Sequence, residues 1–156
     1  MFEILPEVPP HLRAAAIDRL VAAYRDLAPD IAQVLAEEVL TVMAMPELAP
    51  IFGPDAIAEL SVTGEVGGIG VAGQIDRMYV DDRCVLIADF KTGPRPAKAP
   101  ESYVRQMALY GALMQQIYPD HDIETWIVWS GVAEVEIVSS NARNKALDRI
   151  TGLAPP

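Results

Sequence analysis

The sequence predicts an α/β domain, and three observations predict it. Two consecutive segments, Gly73 to Val80 and Arg83 to Lys91, read as strands on either side of Asp81-Asp82, and the second holds the apolar run Cys84-Val85-Leu86-Ile87-Ala88. Pro100 to Tyr118 then shows apolar residues at three- and four-residue steps, the period of an amphipathic helix. Two more strand-like segments follow that helix, Ile123 to Ser130 and Ala133 to Val138, joined around Gly131. With 156 residues, 51% of them hydrophobic, the chain can bury one sizeable core.

Taken in order, Pro10 to about Leu27 reads as a helix with Leu12, Ala16, Leu20 and Tyr24 at helical spacing, and Pro29 opens a second running to about Met43. Both are expected to pack on the sheet. Pro46 to Phe52 suggests a short helical turn, and Ala56 to Val66 a strand entering a glycine-rich stretch. Gly68-Ile69-Gly70-Val71-Ala72-Gly73 fits the Gly-x-Gly-x-x-Gly pattern of dinucleotide-binding loops, but that pattern has to open a helix, and here a strand with Ile75, Met78, Tyr79 and Val80 follows. The glycines are expected to serve a turn and a close backbone approach instead. In the helix after the hairpin, Tyr103, Met107, Tyr110, Met114 and Ile117 form the apolar stripe, with Pro119 just past its end. Trp126 and Trp129 fall on opposite faces of the next strand, so at most one faces the core fully. Ser139 or Ser140 is placed to cap a last helix through Leu147. There is no internal repeat and no low-complexity segment.

Strand parity brings the polar residues of the hairpin together. A two-residue loop at Asp81-Asp82 pairs Val80 with Arg83 and hence Asp76 with Ile87. Ile87, Asp89 and Lys91 share a face, whereas Cys84, Leu86, Ala88 and Phe90 take the other. Asp76 then lies diagonal to Asp89, at roughly 7 Å between backbone positions. Two carboxylates that close, beside an apolar strand, repel each other and are costly to desolvate unless a cation sits between them, and oxygen ligands of this kind suit Mg²⁺ or Mn²⁺. Lys91 points its ammonium at the same place, as metal-assisted phosphodiester hydrolysis requires. The bland alternative is a set of surface ion pairs on an exposed sheet face. Gln106 and Tyr110 shift the balance: at i and i+4 they share a helix face and can hydrogen-bond a phosphate or a base without adding charge.

Gly-x-Ile-Asp-Arg at 73–77, Ala-Asp-Phe-Lys-Thr-Gly at 88–93 and Gln106-x-x-x-Tyr110, in this order and spacing, resemble the PD-(D/E)xK nuclease superfamily, and within it the RecB-like nuclease domain at the C-terminus of AddA-type helicase-nuclease subunits. The Leu5-Pro6-Glu7-Val8-Pro9-Pro10 segment and the leading helices extend the likeness over nearly the whole chain. The resemblance implies a restriction-endonuclease-like mixed sheet flanked by helices. It implies one nuclease domain over 1–156, with a helical lead-in at about 10–52, a sheet and active-site core at about 56–138 and a C-terminal helix at about 140–152. Carried over, Asp76 and Asp89 are the metal-binding acids, Lys91 the catalytic lysine, the Phe90 carbonyl a further metal ligand, and Gln106 and Tyr110 the residues that position DNA. Glu59 resembles a glutamate common in the family. A histidine that the family carries before the Leu-Pro segment is expected upstream of Met1, since His11 follows that segment.

These readings predict a Mg²⁺-dependent deoxyribonuclease, an exonuclease domain in double-strand-break repair, with Mn²⁺ as substitute metal. The resemblance implies a single DNA strand delivered by the helicase portion of the same chain, and an AddB-like partner subunit. A formal net charge of −10 argues against a protein that captures DNA from solution unaided, and delivery by a tethered motor removes that need. Lys91, Arg95, Lys98 and Arg105, with Arg77 close by, make the nearest approach to a basic patch. One cysteine, Cys84, excludes an internal disulfide, an Fe-S cluster or a zinc site, and is expected in the core on the face opposite the site. With no apolar run of about 18 residues and no signal-peptide pattern, a bacterial cytoplasmic location and no membrane contact are expected. The competing function is a non-catalytic docking domain that binds the partner subunit.

Overall fold

The computed structural model describes residues 1–22 and 28–152. Helices α1 (Arg13–Ala22) and α2 (Pro29–Met43) lead into strands β1 (Ile57–Val66), β2 (Ile69–Val80) and β3 (Cys84–Lys91). Helix α3 (Glu101–Ile117) crosses to β4 (Asp122–Trp129), and β5 (Glu134–Ile137) and α4 (Ser140–Thr151) complete the chain. Tyr24 and the expected extension of the first helix to Leu27 lie outside the described residues. Short 3-10 turns begin at Pro46 and Pro50, where proline sits at the first helical position. Ser139 caps α4 by accepting a hydrogen bond from the Ala142 N–H, and the helix runs four residues beyond Leu147.

The strands form one sheet in the order β1-β2-β3-β4-β5, antiparallel throughout except for β3 and β4. That parallel pair is joined through α3, as a crossover requires. β3 is buried on both faces, which explains its unbroken apolar run. Val85 and Ile87 face α3 with Val62, Ile75, Met107, Met114, Ile127 and Trp129, whereas Leu86 and Ala88 face Val42, Leu48 and Ile51. Trp126 packs only partly, on the second face.

Four expectations are corrected here. The hairpin turns one residue later: Asp81 N–H donates to the Cys84 carbonyl at 3.0 Å, so the loop is Asp82-Arg83. Asp81 Oδ1 accepts the N–H groups of Arg83 and Cys84, both at 2.8 Å, and this side-chain turn selects the loop. Second, α1 does not lay its apolar face on the sheet; Ile17 is buried with Leu5 and Val39, so α1 packs on α2 and on the first 3-10 turn. Third, Cys84 is only half-buried, because it is the first residue of its strand. Fourth, Ile117 leaves the α3 stripe and is 62% exposed in the last helical position.

β2 begins at Ile69, earlier than Gly73, and pairs there with Val66. Gly67 and Gly68, at φ 58° and 82°, form the two-residue turn between β1 and β2, so no helix follows the glycine pattern. The β1–β2 ladder is interrupted once: Ala58 pairs with Arg77 and Leu60 with Ile75, but Glu59 and Asp76 are skipped. Glu59 is left-handed there, at φ 49°. Ile75 and Met78 both face α3 although three residues apart, so the strand changes face at Asp76.

Candidate functional site

Arg77 pairs with Ala88 at the end of the β2–β3 ladder, and Asp76, where β2 changes face, lies just beyond it rather than paired in register. The register has moved by one residue on each strand, and the break in β2 at Asp76, not strand parity, sets where that carboxylate lies. In place of a ladder bond, Asp76 Oδ2 accepts the Phe90 N–H at 2.8 Å. Lys91, two residues beyond Asp89, brings Nζ to 2.6 Å from Asp89 Oδ2. The angle there is poor for a hydrogen bond, so this buried oxygen meets a charge without a directed donor.

Helix α3 closes the site from above. Gln106 Nε2 donates to Asp89 Oδ1 at 3.0 Å and to the Tyr110 hydroxyl at 3.4 Å, while its Oε1 accepts from Lys91 Nζ at 3.3 Å. The amide is thereby held in one orientation, between an anion and a cation. Tyr110 accepts the Gln74 N–H at 3.2 Å, and it comes this close because Gly73 has no side chain: a Cβ there would lie 2.2 Å from the hydroxyl oxygen. Asp89, Lys91, Gln106 and Tyr110 are thus brought into one network, and Asp76 is fastened beside Asp89 through the Phe90 N–H. Of Phe90, the N–H is the group engaged with Asp76.

Burial dominates the electrostatics of Asp89, which is 3% exposed, and pushes its pKa up. The Lys91 ammonium, 2.6 Å away, pulls it back, and the charge of Asp76 raises it again. Glu59 lies at the same edge, lining a cavity of about 130 Å³ with Glu3, Asp76, Phe2 and Phe90. A hydrogen bond with Glu3 is the largest cause of its raised pKa, with burial and the charges of Glu3 and Asp76 adding to it. Among the described residues, no three His, Cys, Asp or Glu side chains converge as a ready-made metal cage.

The expected basic patch does not assemble. Arg77 is 2% exposed and donates to the Phe2 carbonyl at 2.7 and 3.1 Å and to the Glu3 carbonyl at 3.1 Å. It ties down the N-terminal segment and is closed to a phosphate. Arg95 is paired with Glu134 and Glu136. One residue in the site had not been singled out as part of it: the Tyr103 ring lies 4.4 Å from Lys91 Nζ and leans on Trp129. Its signal was present, since it stands one helical turn before Gln106 as Tyr110 stands one turn after, but in an apolar stripe it reads simply as core.

No curated protein matches the chain. A crystal structure of a presumptive exonuclease from Eubacterium rectale aligns with 98% of this chain at 13% identity and a TM-score of 0.62; the chain spans 65% of that protein's length. SSO0001 aligns with 99% of this chain and 76% of its own at 14% identity, but with a TM-score of 0.40 it carries no argument. The first likeness concerns the fold alone. A profile of the PD-(D/E)XK nuclease superfamily matches residues 3–149, nearly the whole chain and all three motifs. The five-stranded mixed sheet between helices is the restriction-endonuclease-like architecture, and the chain belongs to the PD-(D/E)XK nuclease superfamily.

Proposed function

We propose that residues 1–156 act as one nuclease domain of a bacterial, AddA-type helicase-nuclease, hydrolysing phosphodiester bonds of DNA with Mg²⁺, for which Mn²⁺ substitutes. The observation that carries this reading is the network of Asp89, Lys91 and Gln106, with Asp76 bound to the Phe90 N–H next to it and Tyr110 behind Gln106. Members of this superfamily generally use divalent metal ions. The chemistry of the donor set, carboxylate and carbonyl oxygens, suits a hard cation, and the Phe90 N–H occupies only one oxygen of Asp76. Two carboxylates suffice for Mg²⁺, which keeps waters and takes substrate oxygens in its remaining positions.

In this reading Asp76, Asp89 and the Phe90 carbonyl hold the cation. The chemistry it supplies when bound is neutralisation of charge on the phosphate and acidification of water. Lys91, positioned beside Asp89 and over the face of Tyr103, offsets charge that develops on the phosphate. Gln106 keeps Asp89 and Lys91 in register with each other, and Tyr110 fixes Gln106 against β2. The substrate is a single strand released by the motor, the products carry 5′-phosphate ends, and an AddB-like subunit is the partner, in the bacterial cytoplasm.

The test is cleavage of labelled single-stranded DNA with Mn²⁺. Asp89→Asn is expected to abolish cleavage without loss of thermal stability at pH 8, because burial makes a charged Asp89 unfavourable. Lys91→Ala is expected to abolish cleavage while calorimetry still detects Mn²⁺ binding. Full activity of Asp89→Asn would overturn the site. A wild-type chain inert toward DNA yet tightly bound to an AddB-like protein would replace this reading with the docking one.

A further inference from the structure

We propose that the groove between α3 and α4 is a track for the phosphate backbone of the DNA strand beyond the scissile linkage, an inference that rests on the nuclease reading. Two cavities of about 440 and 320 Å³ adjoin there, sharing Glu101 and Arg149 in their walls. Lys98, Arg105, Lys145 and Arg149 line them, against two carboxylates, Glu101 and Asp148. Arg149 already engages Glu101 at 2.7 Å. Among the described residues, Lys98, Arg105 and Lys145 make no ion pair, and all three are exposed. One third of the chain's 12 lysines and arginines therefore converge on one groove of a protein whose net charge is −10. Four cations against two carboxylates leave this groove net positive, and a net positive groove concentrates the field that an anionic polymer feels.

The surroundings of the site give the strand a direction. On the side of the N-terminal segment, Glu3 and Glu59 stand beside Asp76 and repel a phosphate. On the other side, the first turns of α3 separate the site from the groove: Tyr103 faces Lys91, while Glu101 and Arg105 face the cavities. Lys98, on the loop between β3 and α3, lines the groove at the start of that helix. The basic patch sought in the hairpin and loop is thus redrawn, losing Arg77 to the core and Arg95 to Glu134 and gaining Lys145 and Arg149 from α4.

The test is the salt dependence of binding of the 156-residue chain to a labelled oligothymidylate in EDTA, where no cleavage occurs. Each neutralised phosphate of a single strand contributes about 0.7 to the slope of log K against log salt, so Lys98→Ala/Arg105→Ala/Lys145→Ala is expected to flatten the slope by about 2. Arg19→Ala/Arg83→Ala, exposed cations elsewhere, is expected to leave it unchanged. An unchanged slope in the triple variant, or no salt-dependent binding by the wild type, would overturn the track. Mn²⁺-dependent hydrolysis of thymidine 5′-(4-nitrophenyl phosphate), too short to span site and groove, tests the nuclease reading separately: wild type and triple variant are expected to hydrolyse it equally. Failure of the wild type there counts against the nuclease reading, while the slope judges the groove.

Discussion

Gly73→Ala probes how closely the helix and sheet have to meet for the site to form. A Cβ at this position would lie 2.2 Å from the Tyr110 hydroxyl oxygen and 2.9 Å from both Cε1 and Cζ. Tyr110 is a rigid ring, 7% exposed, with Met107 and Leu113 of the same helix also in the core, so it cannot swing into solvent. To reach ordinary contact the hydroxyl has to retreat by about 1 Å, which carries the present 3.2 Å hydrogen bond from Gln74 beyond useful length. Overpacking of this kind costs about 1–3 kcal/mol, and the lost hydrogen bond adds about 1. Against that, alanine restricts the unfolded chain and returns about 0.4–1 kcal/mol. The expected net loss is about 2 kcal/mol, or a fall in Tm of about 4–8 °C for a chain of this length. The displaced hydroxyl also releases Gln106 Nε2, so cleavage is expected to fall by more than stability alone accounts for. Urea denaturation followed by circular dichroism measures the first effect, and initial rates at a temperature where the variant is folded measure the second. A variant as stable and active as the wild type would refute the claim that this approach positions Gln106.

Arg77→Met keeps the bulk but removes the donors to Phe2 and Glu3; it is expected to cost about 2–4 kcal/mol in urea denaturation and to open residues 1–7 to proteolysis, and an unchanged digestion pattern would refute the tether. Asp81 has its pKa lowered first by the backbone N–H groups of Arg83 and Cys84. A lowered carboxyl pKa means stability that is present above the ordinary value near 3.9 and lost as pH falls through the folded-state value. Asp81→Ala is therefore expected to lower the urea midpoint at pH 7, with the gap from wild type narrowing below about pH 4; an equal gap at both pH values would show that the charge is not what stabilises the turn.

Periodicity alone determined the order and type of the elements, because the period of two in a strand and of 3.6 in a helix arise from local backbone geometry. The same parity put Asp89 and Lys91 on one face of β3, which a misjudged turn does not alter, whereas the position of Asp76 was decided by the break in β2 that alternation does not report. The turn itself was decided by the Asp81 carboxylate binding two N–H groups, which hydrophobic patterning does not report. Amphipathic spacing showed that α1 buries a face, but only packing chose α2 as the surface that covers it. Arg77 lies in an alternating strand and reads as a surface cation until the Phe2 carbonyl, 75 residues away, takes its guanidinium into the core. Tyr103 became a neighbour of Lys91, and Lys145 and Arg149 neighbours of Lys98, only when the crossover laid α3 over the sheet with α4 beside it. Contacts between residues so far apart in the chain are chosen by the simultaneous burial of apolar faces and satisfaction of polar groups, and no local rule contains that choice.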